Sequence, residues 1–425
     1  MVILLVSLVV FLILGIPIAY SLGLSGFFYF FFVHPELLSI LPQRFLAGMD
    51  SYAMIALPLF ILMGLLMNAG GITTRLIDFS MLFVGRFRGG LGAVNVLASM
   101  VFGGISGSSV SDTASVGAVL IPEMQKKGYT AEFAAGITVA SSTMGMIIPP
   151  SVPMIIYALV SEESVGKLFL GSLIPGVMIG VLMLGITLVI SYWRKYPKEE
   201  INMTGKEVLD RTKKSILALI MPIFVVGAVV FGIATATESA GIGVLYAFMI
   251  GAFVIRGLDL RTVPSLMRDS IMTSANVMVI IASSQLYIWI LALERIPQAV
   301  AGFISGLDLP VFLILFLIDV IILLTGTFVD VSPAILLLTP VFLPSMAVLG
   351  VSPLQFGVIL ISGLAVGLVT PPVGMCLNVA SAISKLGIGT IFRGAMPFLL
   401  ANIITLILIT YIPQLILWLP SLFFD

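Results

Sequence analysis

Gly103-Gly104-Ile105-Ser106-Gly107-Ser108-Ser109-Val110-Ser111-Asp112 and, 222 positions further on, Thr325-Gly326-Thr327-Phe328-Val329-Asp330-Val331-Ser332-Pro333 hold equivalent places in two copies of one pattern. Beyond the first stand Pro122, Gly128, Gly145, Pro149, Pro150 and Pro175. Beyond the second, at the same offset and without a gap, stand Pro344, Gly350, Gly367, Pro371, Pro372 and Pro397. Glycine and proline at equal spacing mean backbone breaks at equal spacing, so the two halves are predicted to share one fold. In an apolar chain, paired broken helices in corresponding places mark a secondary transporter and its binding region.

The chain is that apolar. Of its 425 residues 60% are hydrophobic and 9% charged, and its mean hydropathy is +1.23, beyond the range of soluble globular proteins. Continuous apolar runs at 168–193, 215–233, 239–255, 270–292 and 394–418 are long enough to span a bilayer, which predicts a polytopic α-helical protein and excludes a β-barrel with its short alternating segments. The first stretch has no small-residue cleavage site and reads as a retained helix. Twenty basic and twenty acidic residues cancel, and no basic stripe suits a nucleic acid. A single cysteine, Cys376, and a single histidine, His34, exclude an internal disulfide and a Cys/His metal cluster.

The polar segment 194–214 divides the halves, so 1–193 is the first repeat, 194–214 a cytoplasmic linker and 215–425 the second repeat. The excess of basic residues on the inner side then places Arg86, Arg88, Lys126, Lys127, Arg256, Arg261, Arg268, Lys385 and Arg393 there as well. Basic pairs at both ends of about 89–125 require that stretch to enter and leave on one side. Its glycine- and serine-rich middle suits a hairpin tip enclosed by protein. The matching hairpin, about 309–348, has no flanking Lys or Arg and is expected to enter from the opposite side. The expected fold is therefore all-α, with two inverted-topology repeats of about five spans and one re-entrant hairpin each, and both termini outside. In the segment 52–88, one span and a tilted or interfacial helix around Arg75 are hard to separate.

Each hairpin is followed by a helix interrupted at a double proline: about 131–160, broken at Pro149-Pro150, and about 354–384, broken at Pro371-Pro372. Such breaks remove amide donors and free carbonyls of the preceding turn. Carbonyls and hydroxyls are hard oxygen ligands suited to sodium, whereas the amino ends of half-helices favour an anion. Two symmetry-related cation sites are expected, one at Ser106, Ser108, Thr143 and Gly145, the other at Gly326, Thr327, Gly367 and Thr370. Small residues also serve close helix packing, so each single position has a bland alternative. Asp330 aligns with Ser108 at the opposite tip and is read as a substrate-site carboxylate. Asp112, at the start of a helix, suits capping and ligand binding equally. Glu238, Asp319, Glu294 and Arg295 are read as structural or interfacial charges. Gly104-Ile105-Ser106-Gly107 matches the Gly-x-Ser-Gly pattern of intramembrane serine proteases, but the lone histidine lies in an early loop, and no His-Glu-x-x-His run exists. An enzyme is not expected.

The tip Gly104-Ile105-Ser106-Gly107-Ser108-Ser109, the twin double prolines and Pro58-Leu59-Phe60-Ile61-Leu62-Met63-Gly64 resemble the large membrane subunit of tripartite ATP-independent periplasmic (TRAP) transporters, within the ion-transporter superfamily. The likeness covers essentially the whole chain. It implies a multi-pass protein of the bacterial inner membrane that imports an organic acid anion with sodium ions, no cofactor being required. It also implies two partners, a separate four-helix small membrane subunit and a periplasmic binding protein. Hairpins and broken helices would move together as an elevator, with substrate between the tips near Ser109, Ser151 and Asp330. Among members the sialic-acid type is the most similar and the C4-dicarboxylate type its main rival. A stand-alone sodium-coupled anion symporter and a purely structural membrane scaffold are the remaining alternatives.

Overall fold

The computed structural model describes residues 2–50, 52–198, 205–307 and 309–424, which are helical and contain no β-strand. Six of the helices are long and apolar enough to cross a bilayer, or eight when two bent pairs are counted as single spans. The protein is an all-α polytopic membrane protein.

Moving the first half along by 222 positions lays it on the second, helix upon helix. Ile18–Val33 matches Ala236–Met249, and Ile72–Val84 matches Ile296–Ser305. The hairpin Gly90–Ser106 with Ser109–Lys126 matches Val311–Phe328 with Val331–Val348. Ala131–Ser142 and Val152–Ser161, the halves of the first broken helix, match Pro353–Gly367 and Met375–Ser384, and Val165–Trp193 matches Ile388–Tyr411. The break is reproduced in detail, since Pro149-Pro150 and Pro371-Pro372 are both cis.

Contacts at the helix ends establish the inversion. The base of the first hairpin meets the chain after Val165–Trp193, with the Gly89 amide donating to the Pro197 carbonyl at 3.0 Å. That end also holds the start of the first broken helix, since Arg194 donates to Thr130 at 3.5 Å. Gly394 packs backbone to backbone on Glu132 and Gly136 there, an approach open only to glycine. From Gly394 the helix runs to Tyr411, whose hydroxyl donates to the Phe312 carbonyl at 2.8 Å at the base of the second hairpin. The two hairpins therefore enter from opposite ends of the molecule.

Several boundaries differ from the sequence reading. Helix continues through Gly103–Ser106 and through Thr325–Phe328, so each tip shrinks to two residues, Gly107-Ser108 and Val329-Asp330. Gly107 has φ of 62°, which suits glycine, whereas Val329 is extended. Pro122, Pro175, Pro344 and Pro397 lie inside continuous helices, so of the paired prolines only the doublets break the chain. The run 394–418 is not one span: its helix stops at Tyr411, because Pro413 offers no amide and disfavours helical backbone at Ile412. The ambiguous 52–88 resolves into Ala56–Ala69 and Ile72–Val84, bent by 69° at Gly70-Gly71. Of the expected linker, 199–204 lies outside the described residues, and helix Gly205–Val230 begins within its remainder.

Candidate functional site

Four helices begin around one central cavity. Ser109–Lys126, Val331–Val348, Val152–Ser161 and Met375–Ser384 each start where a tip or a double-proline break ends. Their first-turn residues Ser109, Val110, Val152, Val331 and Met375 line a cavity of about 490 Å³, together with Ser106, Ser108 and Asp330. A helix start carries unpaired N–H groups and the positive end of the peptide dipoles, equivalent to about half a charge each. Four such ends beside one hollow supply N–H donors and partial positive charge without a basic side chain, the kind of arrangement that binds an anion, set against the Asp330 and Asp269 carboxylates in the same lining.

The caps fix the tips. Ser108 accepts the Ser111 amide at 3.5 Å. At the equivalent position the Asp330 carboxylate accepts the Val331 amide at 2.8 Å and faces the cavity, so Asp330 is both cap and lining. The Ser109 hydroxyl is fully buried with no hydrogen-bond partner, an orphan that a ligand could satisfy. Ser151 is placed differently. Its hydroxyl donates to the Met146 carbonyl at 2.5 Å and accepts the Met154 amide at 3.4 Å, so it closes the break from beneath while its neighbours Val152 and Pro153 reach the cavity.

Next to the first tip, the Ser106 hydroxyl accepts the Ser108 amide at 3.2 Å and bonds the Asp112 carboxylate. Asp112 is no cap, since Ser108 holds that position. It folds back instead onto Gly145 of the broken helix, where a Cβ would overlap its carboxylate. One Asp112 oxygen is buried without a hydrogen-bond partner. Ser106, Ser108, Gly145 and Asp112 thus form one oxygen-rich cluster. Thr143 turns away from it, donating to Ala140 at 2.7 Å and to Asn402 at 3.1 Å.

In the second half the corresponding contact is backbone on backbone. A Cβ on Gly367 would fall on Gly326, and one on Gly326 would lie 3.0 Å from the Leu364 Cα. The Val373 amide in the break reaches the Thr327 carbonyl at 3.4 Å. The Thr327 and Thr370 hydroxyls bond carbonyls of their own helices, Leu324 at 2.7 Å and Val366 at 2.8 Å. A hollow of about 30 Å³ lies beside Gly326, Thr327, Asp330 and Gly374, room for one body the size of a water. Gly326 and Thr327 line it, whereas Gly367 and Thr370 lie behind.

Sequence reasoning did not find Asp269 and Thr273, which line the central cavity from helix Val263–Leu293. Asp269 follows Arg268 in a charged flank, and nothing in that local pattern points inward.

The family model of the tripartite ATP-independent periplasmic transporter DctM component matches residues 5–415. The chain belongs to the TRAP transporter large permease family. It is a transporter component rather than an enzyme, of a family that works with a small membrane subunit and a periplasmic binding protein. Similar permeases include the C4-dicarboxylate TRAP transporter large permease DctM of Pseudomonas aeruginosa, 36% identical over 401 residues, 94% of each chain. The sialic acid TRAP transporter large permease SiaM of Vibrio cholerae is 35% identical over 413 residues, 96% of each chain. Among solved structures the Alcanivorax borkumensis YdaH transporter shares the fold, with TM-score 0.64 and 16% identity over 91% of this chain and 90% of that one. The TRAP permease fold thus brings both repeat tips to one cavity.

Proposed function

We propose that this permease imports an organic acid anion with sodium ions, receiving it from a periplasmic binding protein and working with a separate small membrane subunit. The convergence of four helix amino ends on one cavity carries this reading. Sialic acid is the cargo assigned first. The lining hydroxyls of Ser106, Ser108, Ser109, Ser111 and Ser332 suit a polyhydroxylated acid, and Asp330 would accept from its hydroxyls while the carboxylate meets helix ends. A C4-dicarboxylate is the second reading, favoured by the likeness to the Pseudomonas permease.

Sodium, as coupling ion, would be held on one side by Ser106, Ser108, Asp112 and the Gly145 backbone, and on the other in the small hollow at Gly326 and Thr327. Each ion would fix a tip in the form that accepts the anion, so cation and anion raise each other's affinity. The basic residues at the base of the first hairpin support a reading in which that end faces the cytoplasm of a bacterial inner membrane and the termini are periplasmic. Asp269 and Thr273 lie in the first half of Val263–Leu293, the half that follows the basic loop of Arg256 and Arg261. Transport would carry hairpins and broken helices as an elevator past that helix.

The test is uptake of labelled N-acetylneuraminate, and separately of succinate, into proteoliposomes holding this chain and its small subunit. Uptake needing both a sodium gradient and the binding protein is expected. Uptake independent of the binding protein would make the chain a stand-alone symporter, and uptake of neither acid would overturn the cargo class.

A further inference from the structure

A second cavity, of about 390 Å³, lies further along helix Val263–Leu293, walled by Leu159, Val160 and Leu336 from the hairpin and broken-helix assembly. Its polar wall is Arg44 with Gln285, beside Trp289. The Arg44 guanidinium sits 5.1 Å from the Trp289 ring centre, a stacked cation with its donor edge left free. Among the described residues no carboxylate pairs with Arg44, and the Gln285 side chain makes no hydrogen bond with another of them.

The two cavities lie on one ridge. Asp269, Thr273 and Val277 line the central cavity, and Ile281, Gln285 and Trp289 line the second, so residues at intervals of four form a single slanting row across the helix. From Thr273 to Gln285 the row climbs about 18 Å, at ~1.5 Å per residue. A guanidinium and a carboxamide, both with unused donors, form a fork that matches a carboxylate, and the adjoining indole face suits the carbon skeleton.

We propose that the Arg44–Gln285–Trp289 cavity is a second carboxylate-binding station, on the helix that the hairpin tips move along, holding the cargo's carboxylate at the outer end of that path. This rests on the transport reading and on its orientation. The station is stationary, whereas Ser109 and Asp330 travel. It gives the anion a charged side chain at the outer side, where the travelling tips bring helix ends and the Asp330 carboxylate but no basic residue.

The test uses the purified chain with Trp193→Phe and Trp418→Phe, which leaves Trp289 as the sole tryptophan of three. Succinate and N-acetylneuraminate are titrated against its fluorescence, with sulfate at matched ionic strength. A saturable change with at least one acid is expected, moved about tenfold to higher concentration by Arg44→Gln and less by Arg44→Lys, in line with the loss of a charge-assisted contact. No saturable change with either acid, the same curve in Arg44→Gln, or the same curve with sulfate would overturn the proposal. In proteoliposomes, Arg44→Gln should raise the KM for entry from the outer side about tenfold and leave that for exit from the inner side unchanged. An equal rise on both sides refutes an outer station. A wild-type complex that moves neither acid would sink the transport reading, and the fluorescence titration would still decide this one.

Discussion

Asp330 performs two jobs that one pair of substitutions can separate. Its carboxylate accepts the Val331 amide at 2.8 Å, capping the helix that starts at the second tip, and it faces the central cavity. Asn caps a helix about as well as Asp, whereas Ala forfeits the cap at a cost of about 1 kcal/mol. Asp330→Asn should therefore leave folding and assembly with the small subunit nearly untouched, apart from a few tenths of a kcal/mol from the helix dipole. What it removes is the charged acceptor for a cargo hydroxyl, worth about 1.5–3 kcal/mol, or roughly a 10- to 150-fold loss of kcat/KM for uptake. Asp330→Ala should show the same transport loss plus a lowered thermal midpoint. The assay is initial sodium-driven uptake in proteoliposomes, read beside thermal unfolding of the purified complex. Uptake within twofold of wild type for Asp330→Asn, with loss confined to Asp330→Ala, would reduce Asp330 to a cap and refute its place at the cargo.

Ser109→Ala removes a buried hydroxyl with no partner, so stability should hold or rise slightly while uptake falls at least tenfold; a stability loss above about 1 kcal/mol with intact uptake would contradict this. Gly367→Ala puts a Cβ onto the Gly326 backbone, which cannot rotate aside, and should cost about 1–3 kcal/mol in thermal unfolding and abolish uptake, whereas Gly185→Ala, with open space at its Cβ, should be neutral. Asp112→Asn keeps the size of the side chain next to Ser106 but loses its charge, so half-maximal uptake should require roughly tenfold more sodium while the cargo KM at saturating sodium changes little. An unchanged sodium dependence would remove Asp112 from the cation cluster.

The class, the repeat and the positions of the breaks were legible in the sequence because they are written in residue type at fixed spacing. Bilayer thickness demands continuous apolar runs, a double proline cannot continue a helix wherever it stands, and 222 positions separate equivalents in both halves. Resemblance to the permease family rested on the same tip and the same prolines. Which paired prolines merely sit within helices was not legible, because Pro122 and Pro175 differ from Pro149 and Pro150 only in what packs around them. The tips were expected to be longer, since glycine and serine look like loop until neighbouring backbone encloses them as helix.

The cavity belongs to tertiary structure. Ser109 and Asp330, 221 positions apart, become neighbours only because inverted hairpins bring their tips to one depth. Asp112 reads equally as a cap or a ligand in sequence, and only the fold shows that Ser108 holds the cap position while Asp112 packs on Gly145. Asp269, Thr273 and Gln285 carry no motif at all. Their meaning comes from where the hairpins and broken helices lie against one long helix, and a distance across space between elements is what a local pattern cannot encode.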